Sequence, residues 1–210
     1  MNTAKKVASM LLEIGAIKLN PAKPFIWASG WQSPIYCDNR LSLSYPQVRS
    51  GIKEDLASLI YEKFENAEAI AGVATAGIPQ GALVADKMNL PFIYVRSKPK
   101  GHGLENLIEG KTTPGQKVVV IEDLVSTGGS SIQAATALRK AGFEVLGMVA
   151  IFTYGFPIAT TNFEAADLPL YTLSDYSVML EQAVNSGYVK QEDLELLNSW
   201  RENPSVWTSK

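Results

Sequence analysis

The strongest constraint on the fold is an alternation that begins near residue 69. Unbroken apolar runs read as strands: "AIAGVA" (69–74), "PFIYVR" (91–96), "KVVVIED" (117–123), "EVLGMVAIF" (144–152) and "LPLYTL" (168–173). Between them, "GIPQGALVADKM" (77–88), "SSIQAATALRKAG" (130–142) and "FPIATTNFEAA" (156–166) carry helical spacing. A strand that is apolar throughout must be covered on both faces. Such strands alternating with helices therefore predict an α/β fold, a Rossmann-like parallel sheet flanked by helices. Gly142 closes the second of these helices, with Arg139 and Lys140 well placed in its last turn. Ser174 is expected to cap a further helix, and the tail "QEDLELLNSW" (191–200) is expected to be helical.

Upstream, Val7, Met10, Leu11 and Ile14 recur at helical spacing and Gly15 ends the run. "PFIWASGWQSPIYCDNR" (24–40) reads as short strands and turns. A second helix starts at Pro46, with an apolar stripe of Val48, Ile52, Leu56 and Leu59. Residues 96–116 fit no element, and a loop that long inside a domain reads as a lid or a linker. A length of 210 residues favours one domain, 1–210, with at most a small appendage.

A net charge of −2 argues against a partner with a phosphate backbone or an acidic membrane. Cys37 is the one cysteine, so neither an intrachain disulfide nor a Cys-rich zinc site is expected. No signal-type or membrane-spanning apolar run is present, and a cytoplasmic protein is the expectation.

The densest chemistry lies in "VVVIEDLVSTGGSS" (118–131). If Val118–Ile121 is a strand of a parallel sheet, Glu122 and Asp123 fall at its carboxyl end, where such sheets bind ligands. A helix starting near Ser130 presents unpaired N–H groups and the positive end of its dipole, which favour an anion. Gly128 and Gly129 permit close backbone approach, and Ser126, Thr127 and Ser130 add hydroxyl donors. The carboxylates repel a phosphate, so they need hydroxyls or cations. A ribose 5-phosphate meets both needs, with its phosphate in the turn and its hydroxyls on the acids. "GKT" (110–112) is not a Walker A motif, because Glu105 stands where the first glycine is required.

This stretch resembles the phosphoribosyl-pyrophosphate (PRPP) signature of the type I phosphoribosyltransferases. Three further stretches are similar to the orotate phosphoribosyltransferase family: "SGWQSPIYCDNR" (29–40), "GVATAGIPQGALVA" (72–85) and "YVRSKPKGHG" (94–103). The resemblance runs from residue 29 to about residue 131 and implies a small N-terminal hood over residues 1–45. It implies transfer of the phosphoribosyl group from PRPP to orotate, yielding orotidine 5′-monophosphate and pyrophosphate. It places Arg96, Lys98, Lys100 and His102 on a lid, and Glu122, Asp123, Leu124, Val125, Ser126, Thr127, Gly128, Gly129 and Ser130 around PRPP. Lys100, His102 and Asp123 become the catalytic candidates, and Ser126 and Tyr36 the orotate contacts. It further implies Mg²⁺ held mainly through PRPP, and a homodimer whose lid is shared across subunits. Where many members carry lysine, this chain has Ala28, Ala76 and Ser97, and Tyr154 replaces a frequent arginine. Two rival readings are a transferase for another base and a regulatory module that keeps the PRPP cradle and binds nucleic acid.

Overall fold

The computed structural model describes residues 2–27, 29–98 and 107–208. Helix α1 (Thr3–Glu13) starts at Asn2, whose Oδ1 accepts the Lys5 N–H at 2.9 Å. Strands β1 (Ile17–Leu19), β2 (Phe25–Ile26), β3 (Gln32–Ser33) and β4 (Ile35–Cys37) follow. They form two antiparallel pairs, β1 with β4 and β2 with β3. A 3-10 helix, Asn39–Ser44, leads into α2 (Pro46–Lys63). The expected strands and turns are present, but the expected run to residue 40 ends in this helix. Asp38 initiates it by accepting the Arg40 N–H.

The main sheet contains β5 (Ala69–Val73), β6 (Phe92–Val95), β7 (Ile108–Glu109), β8 (Lys117–Val125), β9 (Glu144–Thr153) and β10 (Leu170–Asp175). Helix α3 (Gly77–Met88) follows β5, α4 (Gly129–Lys140) follows β8, and α5 (Pro157–Ala165) follows β9. Helix α6 (Tyr176–Asn185) and α7 (Leu194–Glu202) complete the chain. The strand order is β10-β9-β8-β5-β6-β7, parallel except where β7 joins β6. β7 lies within the 96–116 segment, where no element is expected. It is two residues long, too short to show a pattern, and Ile108 is buried because it pairs with Val95.

Both faces of the sheet are buried, as continuous apolar strands require. Ile70, Val119, Ile121, Val149 and Ile151 face one core, shared with α1, α2, α6, α7 and the first 45 residues. Ala71, Val118, Val120, Met148 and Ala150 face the other, beneath α4 and α5. Successive strand residues alternate between these cores. In α2 the stripe is realised by Ile52, Leu56 and Ile60, fully buried, with Val48 and Leu59 at its margin. The expected cap of α6 shifts by one residue. Asp175 accepts the Ser177 and Val178 N–H groups, while the Ser174 hydroxyl donates to the Ala4 carbonyl.

An aromatic knot fastens the N-terminal strands to the C-terminal helix. Trp200, wholly buried, lies 5.4–5.7 Å between ring centroids from Trp27, Tyr154, Phe156 and Tyr176. Its indole N–H donates to the Gln32 carbonyl at 3.2 Å. Trp200→Ala should lower the unfolding free energy by about 3–5 kcal/mol, read from urea denaturation. A loss below about 1 kcal/mol would show that the knot does not hold these segments together.

Candidate active site

The chain runs from β5 to β6 on one side and then returns to place β8 on the other side of β5. The strand order therefore reverses between β5 and β8, and a crevice opens at their carboxyl ends. Residues 74–76 enter it from β5, and residues 126–128 from β8. Helix α3 closes against β8 at Gly77, where a Cβ would lie 2.5 Å from the Ile121 carbonyl oxygen. Only glycine permits that approach.

The turn after β8 is built as a cradle. Gly128 precedes α4 at φ +86°, and a Cβ there would meet the Phe163 ring at 2.6 Å. No side chain caps this helix. Its first internal bond runs from Ile132 N–H to the Gly128 carbonyl, so the N–H groups of Gly129, Ser130 and Ser131 have no acceptor within the helix. The turn is pinned from behind. The Thr153 hydroxyl and the Tyr154 N–H both donate to the Val125 carbonyl, and Asn162 Nδ2 donates to the Thr127 carbonyl at 2.9 Å. Ser126 and Thr127 are half-buried, and Gly129 and Ser130 are exposed. Leu124 and Val125 turn their side chains inward, which leaves their backbone to meet a ligand.

The acidic pair does not sit past the end of its strand. β8 continues through Val125 because β9 continues beside it, pairing Ala150, Phe152 and Thr153 with Glu122, Leu124 and Val125. The two carboxyls remain within hydrogen-bond contact of one another. Glu122 takes the α4 face, where its Oε1 accepts the Asp123 N–H at 3.1 Å and its Oε2 the Ser131 hydroxyl at 3.4 Å. It is 6% exposed. Burial first, then the Asp123 charge, pushes its carboxyl up to about 9. Asp123 lies beside it, near Cys37 and Arg40 of the N-terminal segment. Burial raises its carboxyl too, opposed first by a hydrogen bond from Glu122 and also by the Arg40 guanidinium. Both carboxyls are thus raised, and burial favours a proton held on the pair.

Arg96 leaves β6 and pairs with Glu109 of β7 at 3.4 Å. Arg96, Ser97, Ala74 and Ser130 line a cavity of about 60 Å³ between β6 and α4, so the root of the basic segment adjoins the cradle. Lys98 is exposed. Lys100, His102 and Ala28 lie outside the described residues. Tyr36 is 41% exposed on β4, its ring 5.8 Å from Phe25. Tyr154 is buried in the aromatic knot, so position 154 faces the core. A larger depression, about 510 Å³, lies between α5 and β10; Glu164 and Asp167 line it and no cation does, which suits an anion poorly.

Three contributors were not read from sequence. Asn39 Nδ2 donates to the Asp123 carbonyl at 2.7 Å, across 84 positions. Glu109 holds Arg96, and Ser131 holds Glu122. Ser131 falls inside the 118–131 stretch and Asn39 inside 29–40, but neither position shows its role locally.

Residues 46–160 match the phosphoribosyl transferase domain. The chain is 59% identical over 207 residues to the orotate phosphoribosyltransferase of Cytophaga hutchinsonii, covering 99% of each chain. It is 61% identical over 203 residues to that of Porphyromonas gingivalis, covering 97% of each. Among solved structures, the orotate phosphoribosyltransferase of Aeropyrum pernix superposes with a TM-score of 0.77 at 28% identity, covering 88% of this chain and 99% of the other.

The proton on Glu122 has a consequence for stability. Below pH 4.5, its ordinary value, folded and unfolded chains both hold this proton. As pH rises toward about 9 the unfolded chain releases it and the folded chain does not, so stability falls. Glu122→Gln removes that loss. Its urea midpoint should rise relative to the unsubstituted protein as pH climbs from 4.5 to 9, whereas a difference independent of pH would show that Glu122 ionises normally.

Proposed function

The chain belongs to the orotate phosphoribosyltransferases, within the type I phosphoribosyltransferases, and on that footing we propose how its residues divide the reaction. The activity is transfer of the phosphoribosyl group of PRPP to orotate, giving orotidine 5′-monophosphate and pyrophosphate in pyrimidine biosynthesis. The observation that carries the residue assignment is the uncapped, glycine-led start of α4 beside the Asp123 carboxyl at the switch point of the sheet.

The 5-phosphate sits in the cradle. It accepts from the N–H groups of Gly129, Ser130 and Ser131 and from the hydroxyls of Thr127 and Ser130. The ribose then lies over Asp123, whose charge favours the cationic sugar that forms as the C1–O bond breaks. Glu122, neutral and buried, holds the Asp123 amide rather than the sugar's charge. Arg96, Lys98, Lys100 and His102 face the departing pyrophosphate, where Lys100 and His102 neutralise the charge it gains. The orotate ring nitrogen bonds to C1 as the C1–O bond breaks and releases its proton to the departing pyrophosphate, with Ser126 and Tyr36 beside the base. No histidine or cysteine stands in the cradle, and no covalent enzyme intermediate forms. Excluding water while the basic segment covers the site prevents hydrolysis of PRPP.

Mg²⁺ fits this donor set. Among the described residues no group of three or more His, Cys, Asp or Glu is placed to hold a metal. Asp123 would be the protein's oxygen donor to this ion, which prefers oxygen ligands and keeps several waters. When bound, it supplies charge neutralisation at the pyrophosphate. A cytoplasmic homodimer sharing the basic segment between subunits completes the reading. Among the described residues no helix is long and apolar enough to cross a membrane.

The test is loss of orotate absorbance with PRPP and Mg²⁺, beside adenine, hypoxanthine, xanthine and uracil. Orotate alone should turn over, chelation of Mg²⁺ should abolish the reaction, and Lys100→Ala should lower kcat by about 10²-fold. Turnover of a purine would sink the assignment of the base contacts. Full activity of Lys100→Ala would remove the basic segment from the chemistry.

A further inference from the structure

β8 runs beyond its neighbour. β5 pairs with it only as far as Gly72 opposite Ile121, and from Glu122 onward β9 is its only ladder partner among the described residues. The carbonyl of Asp123 is met instead by a side chain from the N-terminal segment, Asn39 Nδ2 at 2.7 Å. Asn39 is 1% exposed, and its orientation is set by its own contacts. The Cys37 thiol donates to Asn39 Oδ1 at 3.3 Å, which leaves Nδ2 aimed at the strand. The Ser42 hydroxyl donates to the Asn39 carbonyl at 2.6 Å, and Gln80 Nε2 of α3 donates to that hydroxyl at 3.1 Å. Ser42 and Gln80 are as buried as Asn39. A continuous chain of buried hydrogen bonds therefore runs from α3, through the 3-10 helix, to the peptide that follows Asp123. α3 itself starts directly after the 74–76 loop.

We infer that Asn39 is a positioning residue for Asp123. By holding the 123–124 peptide on the side that β5 leaves, it sets the direction of the Asp123 carboxylate. This rests on the reading that Asp123 meets the ribose of PRPP. A buried carbonyl stripped of its donor would be costly to keep. The peptide would rotate to find another partner and swing the carboxylate with it. Misplacement of a reacting group by about 1 Å costs on the order of 100-fold in rate.

The experiment is a double-mutant cycle on kcat/KM for PRPP, with far-UV circular dichroism confirming the fold of each variant. Asn39→Ala should lower kcat/KM by about 10- to 100-fold. In an Asp123→Asn background the same change should cost less than about threefold, because Asn39 acts through Asp123. Asn39→Asp keeps the shape and the Cys37 contact but loses the donor, and is the second probe should the alanine variant not fold. Equal losses in both backgrounds would make Asn39 merely structural and overturn the inference. So would full activity of the Asn39 variants beside a crippled Asp123→Asn. If Asp123→Asn is itself fully active, the reading of Asp123 fails first and takes the inference with it.

Discussion

Between Ile121 and Val125, strand β8 keeps one neighbour and loses the other. That is the constraint on which the site depends. A strand buried on both sides has no room for a ligand, and one free on both sides has no fixed geometry. Here β9 holds the register of β8 to Thr153, while the departure of β5 opens the crevice. The turn that follows is set from behind by Thr153, Tyr154 and Asn162, so its backbone N–H groups are fixed before any ligand arrives. Preorganised dipoles of this kind cost nothing to orient during reaction.

The acidic pair shows what burial does to two neighbouring carboxyls. Glu122 reaches the Ser131 hydroxyl of α4, and Asp123 stays in hydrogen-bond contact with Glu122. Burial raises both, Glu122 to about 9, which favours a proton held on the pair. The Arg40 guanidinium, itself gripped by Asp38 at 2.6 and 2.9 Å, adds to the field that favours the Asp123 anion. The N-terminal segment thus contributes to the centre in two ways: a hydrogen bond to its backbone and a cation near its carboxylate.

What was legible in sequence follows from whether the cause is local. The strands from 69 to 173 could be read because burial on both faces writes an apolar run into each of them. The cradle could be read because glycines, hydroxyls and a helix start fall within a few consecutive positions. β7 could not, since Ile108 is buried only by pairing with Val95. The shift of the α6 cap from Ser174 to Asp175 turns on the Ala4 carbonyl, which claims the serine hydroxyl from the far end of the chain. The division of roles between Glu122 and Asp123 required knowing that β8 runs past them. Asn39 falls inside the 29–40 stretch, but nothing local marks its role, because its partner lies 84 positions away. Tyr154 reads as a departure from a family pattern until Trp27, Phe156 and Trp200 are found around it.

The central claim is that the start of α4 holds the 5-phosphate while Asp123 holds the ribose. A crystal structure of the protein with PRPP tests it most directly. The account predicts phosphate oxygens within hydrogen-bond distance of the Gly129, Ser130 and Ser131 N–H groups, and a ribose hydroxyl on the Asp123 carboxylate. A phosphate bound away from this turn, or a ribose that leaves Asp123 untouched, would contradict it.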